Sequence, residues 1–463
     1  LPKNDVFHEV SDEIPSMRKM MDEGLLGNKS TKGGFYRFKD PEDSTTRETL
    51  DFCKFVYRKY NYSKPEIAVQ AEMENDFTLL LESDDKYGRY AWEVLSNSLC
   101  YAADLVPEVN ESLVAIDDAM KLGYNWIQGP FEMIDSIGVN NFIERLEKEN
   151  RSIPKILHVA RNKSFYRIEN NKLQYLLATG KYENLKREEG TRRFSEERRT
   201  KKPLFSNKVA SYFEINDDIG MVEFHSKANA LDGESMKLLS DAIDHSEINH
   251  RGMVIHNDAS HFSCGVNLER ISDFIEVHDW DGLDAFLEHF QKTVKKMKYS
   301  SIPVVSAPSG LSIGGGFEVV LHTDASIYHA NSVTGLVESL VGVVPGGGGV
   351  KEILYRWFDI KSNETEAAWK TFMNIGYGKT AQSPLQGQEL AMFIEGRDEF
   401  VMNRDRLLDA AIIKVDQLKN DYSPTYRGDL SMPGRDIWQK MKEWLMDAHK
   451  KGFLTPHDVT TGT

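Results

Sequence analysis

Residues 310–318 read GLSIGGGFE, and two chemistries fit them. Gly310, Ser312 and Gly314 match G-x-S-x-G, the pattern of a serine nucleophile on a strand-to-helix turn. A triad also needs an acid and a histidine; His329, His449 and His457 follow in the chain, with nothing to choose among them. Gly314, Gly315 and Gly316, however, put three residues without a Cβ where a helix begins, so backbone N–H groups can approach a ligand closely. Such donors favour negative charge and suit a developing oxyanion. Glu318 falls in the first turn behind them, and Glu338 follows 338 − 318 = 20 residues later in the apolar run GLVESLVGVVPGGGGVKE. Two carboxyl groups beside an oxyanion site suit acid–base work on water. The backbone reading outweighs the serine, because a five-residue pattern arises easily by chance in a glycine-rich stretch.

Three other features offer less. Cys264 could be a thiol nucleophile, but no partner is marked out for it. The triple glycine lacks the Lys-Ser/Thr of a phosphate loop. Gly346–Gly349 is not a G-x-G-x-x-G fingerprint and reads as a tight turn before a helix.

The elements that must position these groups alternate in type. SYFEI and GMVEFHS flank a polar Asn-Asp-Asp turn and predict a hairpin. GESMKLLSDAIDHS predicts a helix, GMVIHND a buried strand and IPVVSAP another, which leads into GLSIGGGFE. Between them, Leu283, Phe286, Leu287, Phe290, Val294 and Met297 share one helical face. This alternation predicts a layered α/β core after residue 208. Residues 41–160 read as helical, with Trp92, Leu95, Leu99, Ala102 and Ala103 on one face. Asn110 is the expected N-cap of the next helix and Gly123 its stop. A weak repeat links KGGFYRF (Lys32–Phe38) with KSFYRI (Lys163–Ile168), each expected to be the closing hairpin of a helical unit. The mixed charge run at 186–203 reads as a solvated linker, since acids alternate with bases.

Composition narrows the class. The 463 residues predict two or three domains, and a net charge of 57 − 72 = −15 argues against a general nucleic-acid partner. No apolar run is long enough to span a membrane. The three cysteines, Cys53, Cys100 and Cys264, form no C-x-x-C pair. A zinc site or disulfide framework is therefore not expected, and a cytoplasmic location is. The chain begins at Leu1 in mid-pattern, from which a missing upstream segment is expected.

The motifs of residues 208–350 resemble the crotonase (enoyl-CoA hydratase/isomerase) superfamily. The matching stretches, in order, are MVEFHSKANALDGE, RGMVIHNDASHFSCGVNL and IPVVSAPSGLSIGGGFEVVLHTDASIYHANSVTGLVESLVGVVPGGGG. The resemblance implies that the backbone N–H groups of Cys264 and Gly315 polarise a thioester carbonyl. It implies that Glu318 and Glu338 hold water and move its protons across the α,β double bond. Lys227, Ala228, Ala230 and Leu231 fall in the segment that lies against CoA. Asn267 stands where stand-alone hydratases usually have Asp, which is closer to hydratase domains fused behind a 3-hydroxyacyl-CoA dehydrogenase.

GLLGNKSTKGGFYRF and LGYNWIQGPFEMIDSIGVN resemble the helical C-terminal domain of such dehydrogenases, the second stretch belonging to a second copy. The expected fold class is thus mixed: an all-α dehydrogenase C-terminal-like domain, then an α/β crotonase fold (ββα superhelix) with a helical tail. The expected divisions are 1–45 (tail of a first helical unit), 46–185 (second helical domain), 186–207 (linker), 208–395 (crotonase core) and 396–463 (helical extension). Asn97, at a substrate-contacting position of the first copy, reads as structural in the second. No cofactor is expected in this chain, NAD belonging to an upstream domain, and no metal. The expected partner is an acyl-CoA thioester, with homo-oligomers allowed. The implied activity is enoyl-CoA hydration, within a bifunctional enzyme of fatty-acid β-oxidation. An isomerase on the same fold, a Ser312 hydrolase and a non-enzymatic docking fragment are the alternatives.

Overall fold

The computed structural model describes residues 5, 7–10, 14–27, 30–40, 43, 46–74, 76–424, 426–429 and 433–463. Asn28 and Lys29 of the GLLGNKS stretch, and Leu1 itself, lie outside the described residues. The chain forms two compact units, Leu1–Leu185 and Lys186–Thr463.

In the first unit helices Lys86–Asp104, Leu113–Tyr124, Pro130–Ile137, Val139–Lys148 and Lys155–Ala160 enclose one core. Trp92, Leu99, Ala102 and Ala103 are buried as their spacing requires, and Trp92 meets Phe142 edge-on at 5.4 Å. The repeated Phe-Tyr-Arg motif marks a structural repeat. Tyr36–Phe38 and Tyr166–Glu169 each open a three-stranded antiparallel sheet. Arg47–Asp51 pairs with Tyr36–Phe38, so the division expected at 45/46 falls inside one sheet. The hairpin expected at each place is thus present, extended by a third strand too short to show a period of its own. The cap expectations also shift by two residues. Ser112 precedes helix Leu113–Tyr124, and Asn125 ends it with a left-handed φ of 58°. Asn97 is held by Arg151, whose guanidinium donates to its side-chain oxygen at 2.6 Å.

Asp117 ties this core together. Its carboxyl group is fully buried and accepts from the Phe131 N–H (2.8 Å) and the Tyr166 hydroxyl (2.7 Å). One side chain thus joins the start of helix Pro130–Ile137 to the second sheet.

The second unit begins with the charge run, which is no solvated linker. Arg187 pairs with Glu196, Arg192 with Glu197, Arg193 with Asp405 and Arg198 with Glu223. Phe194 is fully buried, edge-on to Phe213 at 4.8 Å. Interleaved charges satisfy one another here and leave one aromatic anchor to dock the strap.

The chain then forms β1 (Phe205–Ser206), β2 (Ala210–Asn216), β3 (Ile219–Phe224), α1 (Gly233–Asn249), β4 (Gly252–Ile255), α2 (Trp280–Lys298) and β5 (Val304–Ser306). Next come β6 (Leu311–Ile313), α3 (Gly315–Leu321), β7 (Ala325–His329), β8 (Val333–Gly335), α4 (Gly349–Lys361), α5 (Glu364–Gly376) and β9 (Thr380–Ala381). Last come β10 (Glu399–Val401), α6 (Leu407–Leu418), α7 (Arg435–Lys450) and α8 (Pro456–Gly462). A seven-stranded sheet runs β10-β7-β5-β4-β3-β2-β1, and a small sheet runs β6-β8-β9. β2 and β3 form the expected hairpin, and β3, β4, β5 and β7 are parallel neighbours. The sheet does not stop at 395. β10 pairs with β7, and α6 buries Leu407, Leu408, Ala411 and Val415 against Val254, Val305 and Ile327.

Replacing Asp117 with Ala strands two buried donors, at an expected cost of about 3 kcal/mol to the first unit. Hydrogen exchange of the amides in Lys155–Ala160 reads this loss, while amides of β4 and β5 keep their protection.

Candidate active site

β6 ends at Ile313; Gly314 follows with a φ of 53°, a turn that side chains other than glycine rarely make, and α3 starts at the next residue. The Gly314 N–H donates to the Gly335 carbonyl (2.9 Å), locking β6 to β8. The Gly315 N–H, first in its helix, has no backbone acceptor among the described residues. It is an available donor at the positive end of a helix.

Glu318 sits one turn inside α3 with only 2% of its surface exposed. Its carboxyl group accepts from the Gly347 N–H (2.9 and 3.0 Å) and the Gly349 N–H (2.8 Å). A methyl group on Gly347 would stand 2.5 Å from Glu318 Oε2 and 2.4 Å from the Phe290 ring. Only glycine permits that approach. The run at 346–349 therefore has a role beyond the tight turn expected of it, and the signal was four glycines directly before a helix.

Glu338 opens a 3₁₀ turn, Glu338–Val341, after β8. Both its carboxyl oxygens are buried and without a hydrogen-bond partner. A Cβ on Gly314 would be 3.6 Å from Glu338 Oε1, so this carboxyl group borders the turn that leads to Gly315. Burial, with the Glu338 charge adding to it, pushes Glu318 up to about 8, against the pull of the two glycine N–H groups. Burial pushes Glu338 up to about 7. The two titrate as a coupled pair that keeps one proton near neutrality.

Cys264 is half-buried, and burial raises its thiol, which disfavours a nucleophilic thiolate. Its N–H donates to the Ala228 carbonyl at 3.1 Å. Of the two expected oxyanion donors, then, Gly315 is available and Cys264 is engaged. The acceptor comes from the expected CoA segment. Ala228 and Asn229 are both left-handed, with φ of 54° and 51°. Lys227 and Ala228 are exposed, and Ala230 accepts from Ser226 Oγ at 2.7 Å. Leu231 is buried and bridges to Val266, beside Cys264. Asn267 caps helix Leu268–Glu276 by accepting from the Glu269 N–H at 3.0 Å.

Ser312 lies in β6, two residues before the turn that a serine elbow needs, and Gly314 occupies that turn. Its hydroxyl is buried without a partner. No histidine among the described residues is bonded to it, and His449 and His457 bond the Leu454 and Gly342 carbonyls instead. The geometry thus favours backbone donors and a carboxyl pair over a serine triad. One group escaped the sequence reading. His322 Nδ1 donates to the Glu318 carbonyl at 2.7 Å, and burial pushes this histidine down to about 4, leaving it neutral near pH 7.

Residues 214–363 match the sequence profile of the Enoyl-CoA hydratase/isomerase family. The second unit carries a domain of this crotonase type, in the same chain as a helical unit. The chain is 32% identical over 454 residues to a probable 3-hydroxyacyl-CoA dehydrogenase of Bacillus subtilis (strain 168), a match covering 96% of this chain and 57% of that protein. It is 28% identical over 359 residues to a putative fatty acid oxidation complex trifunctional enzyme of Rickettsia felis, covering 77% and 46%. It is 27% identical over 128 residues to a mitochondrial methylglutaconyl-CoA hydratase of Mus musculus, covering 27% and 40%. The chain spans about half the length of the first two relatives. Among the described residues no helix is long and apolar enough to cross a membrane.

Both carboxyl groups ionise less readily in the folded chain than in the unfolded one. Unfolded, each loses its proton near 4.5; folded, near 8 and 7. Between these values the folded state binds more protons, so stability falls as pH rises. Urea unfolding at several pH values from about 5 to 8 reads this slope. Replacing Glu338 with Gln is expected to flatten it.

Proposed function

We propose that the second unit hydrates a 2-enoyl-CoA thioester. The observation that carries this reading is the pair of buried carboxyl groups, Glu318 and Glu338, beside the available Gly315 N–H. A pair holding one proton contains both a base and an acid. The ionised member takes a proton from water as its oxygen bonds to C3 of the substrate. The C2–C3 π electrons shift towards the thioester, whose oxygen gains charge against the Gly315 N–H, joined by Cys264 once the Ala228 carbonyl yields. The protonated member then supplies hydrogen to C2. Water's two hydrogens and its oxygen are all accounted for, and the pair ends with one proton, as it began.

The hydratase and dehydrogenase names of the relatives support a wider reading. A 3-hydroxyacyl-CoA product is what a dehydrogenase with NAD would oxidise, in a bifunctional enzyme of fatty-acid breakdown. We assign no residue of this chain to that second step.

Glu318→Gln and Glu338→Gln are each expected to lower kcat for crotonyl-CoA hydration by roughly a hundredfold or more, with the thermal transition retained. Full activity in both variants overturns the reading. A 3-enoyl-CoA substrate separates hydration from isomerisation: faster turnover of that compound than of crotonyl-CoA assigns a double-bond shift instead.

A further inference from the structure

A half-open apolar chamber of about 730 Å³ lies behind the 3₁₀ turn that carries Glu338. Phe372 and Ile375 of α5, Met441 and Trp444 of α7, and Phe453 before α8 form much of its wall. Its size and lining are those of a small-molecule site, roughly 300–1,000 Å³ and mainly hydrophobic and aromatic.

The chamber is built onto the catalytic turn. Ser339 and Leu340, the two residues after Glu338, line it. Ser339 Oγ donates to the Ile375 carbonyl at 2.6 Å, fixing the turn to α5. His457 Nε2 bonds the Gly342 carbonyl at 2.7 Å, fixing the same turn to α8. Between site and chamber runs an exposed apolar ramp: Leu340, Val341, Val343 and Val344 are all half or more exposed, and Leu340 and Val344 continue into the chamber wall. Four apolar side chains left in water within five residues, following Glu338 and reaching a half-open apolar chamber, call for an apolar ligand.

We propose that this chamber receives the alkyl tail of the thioester. The substrate class is then a medium- or long-chain 2-enoyl-CoA, with its double bond at the glutamates and its tail along Leu340 and Val344. The proposal rests on the hydratase reading and adds the chain length to it. Each methylene group withdrawn from water into such a space improves kcat/KM by up to roughly fourfold.

The test is hydration by the full chain of crotonyl-, octenoyl-, dodecenoyl- and hexadecenoyl-CoA, followed by loss of the conjugated thioester absorbance. Two chamber-filling variants, Ala368→Phe and Met441→Trp, are compared with the unaltered chain; both positions line the chamber and neither is in the catalytic pair. Expected is a kcat/KM that rises from crotonyl- to dodecenoyl-CoA. In at least one variant that folds, the long-chain value should fall tenfold or more, through KM, with crotonyl-CoA unchanged within twofold. Good hydration of crotonyl-CoA with no gain from longer chains overturns the tail assignment and leaves the hydratase reading standing. So does an equal effect of folded variants on short and long chains, or none on either. No hydration at any length overturns the hydratase reading, and the tail assignment with it.

Discussion

Two backbone N–H groups, those of Gly347 and Gly349, hold a carboxyl group where water does not reach. A buried carboxyl is costly unless it is neutralised or hydrogen-bonded, and here it is both partly bonded and kept close to protonation. Much of the local architecture follows from that constraint. The residue that approaches Glu318 must be glycine, because Phe290 closes the other side. α4 must start at Gly349, so that its first free N–H points at the carboxyl. β6 must lock to β8, because Glu338 arrives from the end of β8 while Glu318 arrives from the helix after β6.

The candidate carboxyl pair was legible in the sequence because its marks are local. Gly314–Glu318 lies within one turn, and an apolar run around Glu338 marks a carboxyl group that must be buried. The α/β alternation was equally plain, since long helices and buried strands carry their periods openly. What stayed hidden was non-local. Nothing within 186–203 tells that Arg193 pairs with Asp405 and Arg198 with Glu223, or that Phe194 anchors the run on Phe213. β10 and α6 fell outside the expected core because three residues of strand carry no period. The small sheets of the first unit were legible only as hairpins, through the Phe-Tyr-Arg repeat; their third strands carry too short a period to be seen.

The two units meet different physical demands with buried carboxyl groups. Asp117 accepts two hydrogen bonds, and its work is to join a helix to a sheet. Glu338 is buried with no partner at all. A buried polar group left unpaired weakens a fold, and proteins retain such groups where function needs them. Burial alone therefore does not set Asp117 apart from the candidate pair, and Glu318, with two partners of its own, stands between the two cases.

The bond from the Cys264 N–H to the Ala228 carbonyl bears on energetics in a way that geometry alone does not display. On the proposed reading, a thioester entering the site replaces one neutral carbonyl with another at that donor. The exchange is close to even, so this donor adds almost nothing to the affinity for the resting substrate. As the thioester oxygen becomes an enolate, the same bond becomes charge-assisted and strengthens. A loop that keeps the donor occupied thus subtracts from the binding of the ground state and leaves the transition state its full gain, which is the condition under which an interaction accelerates a reaction rather than merely retaining its substrate.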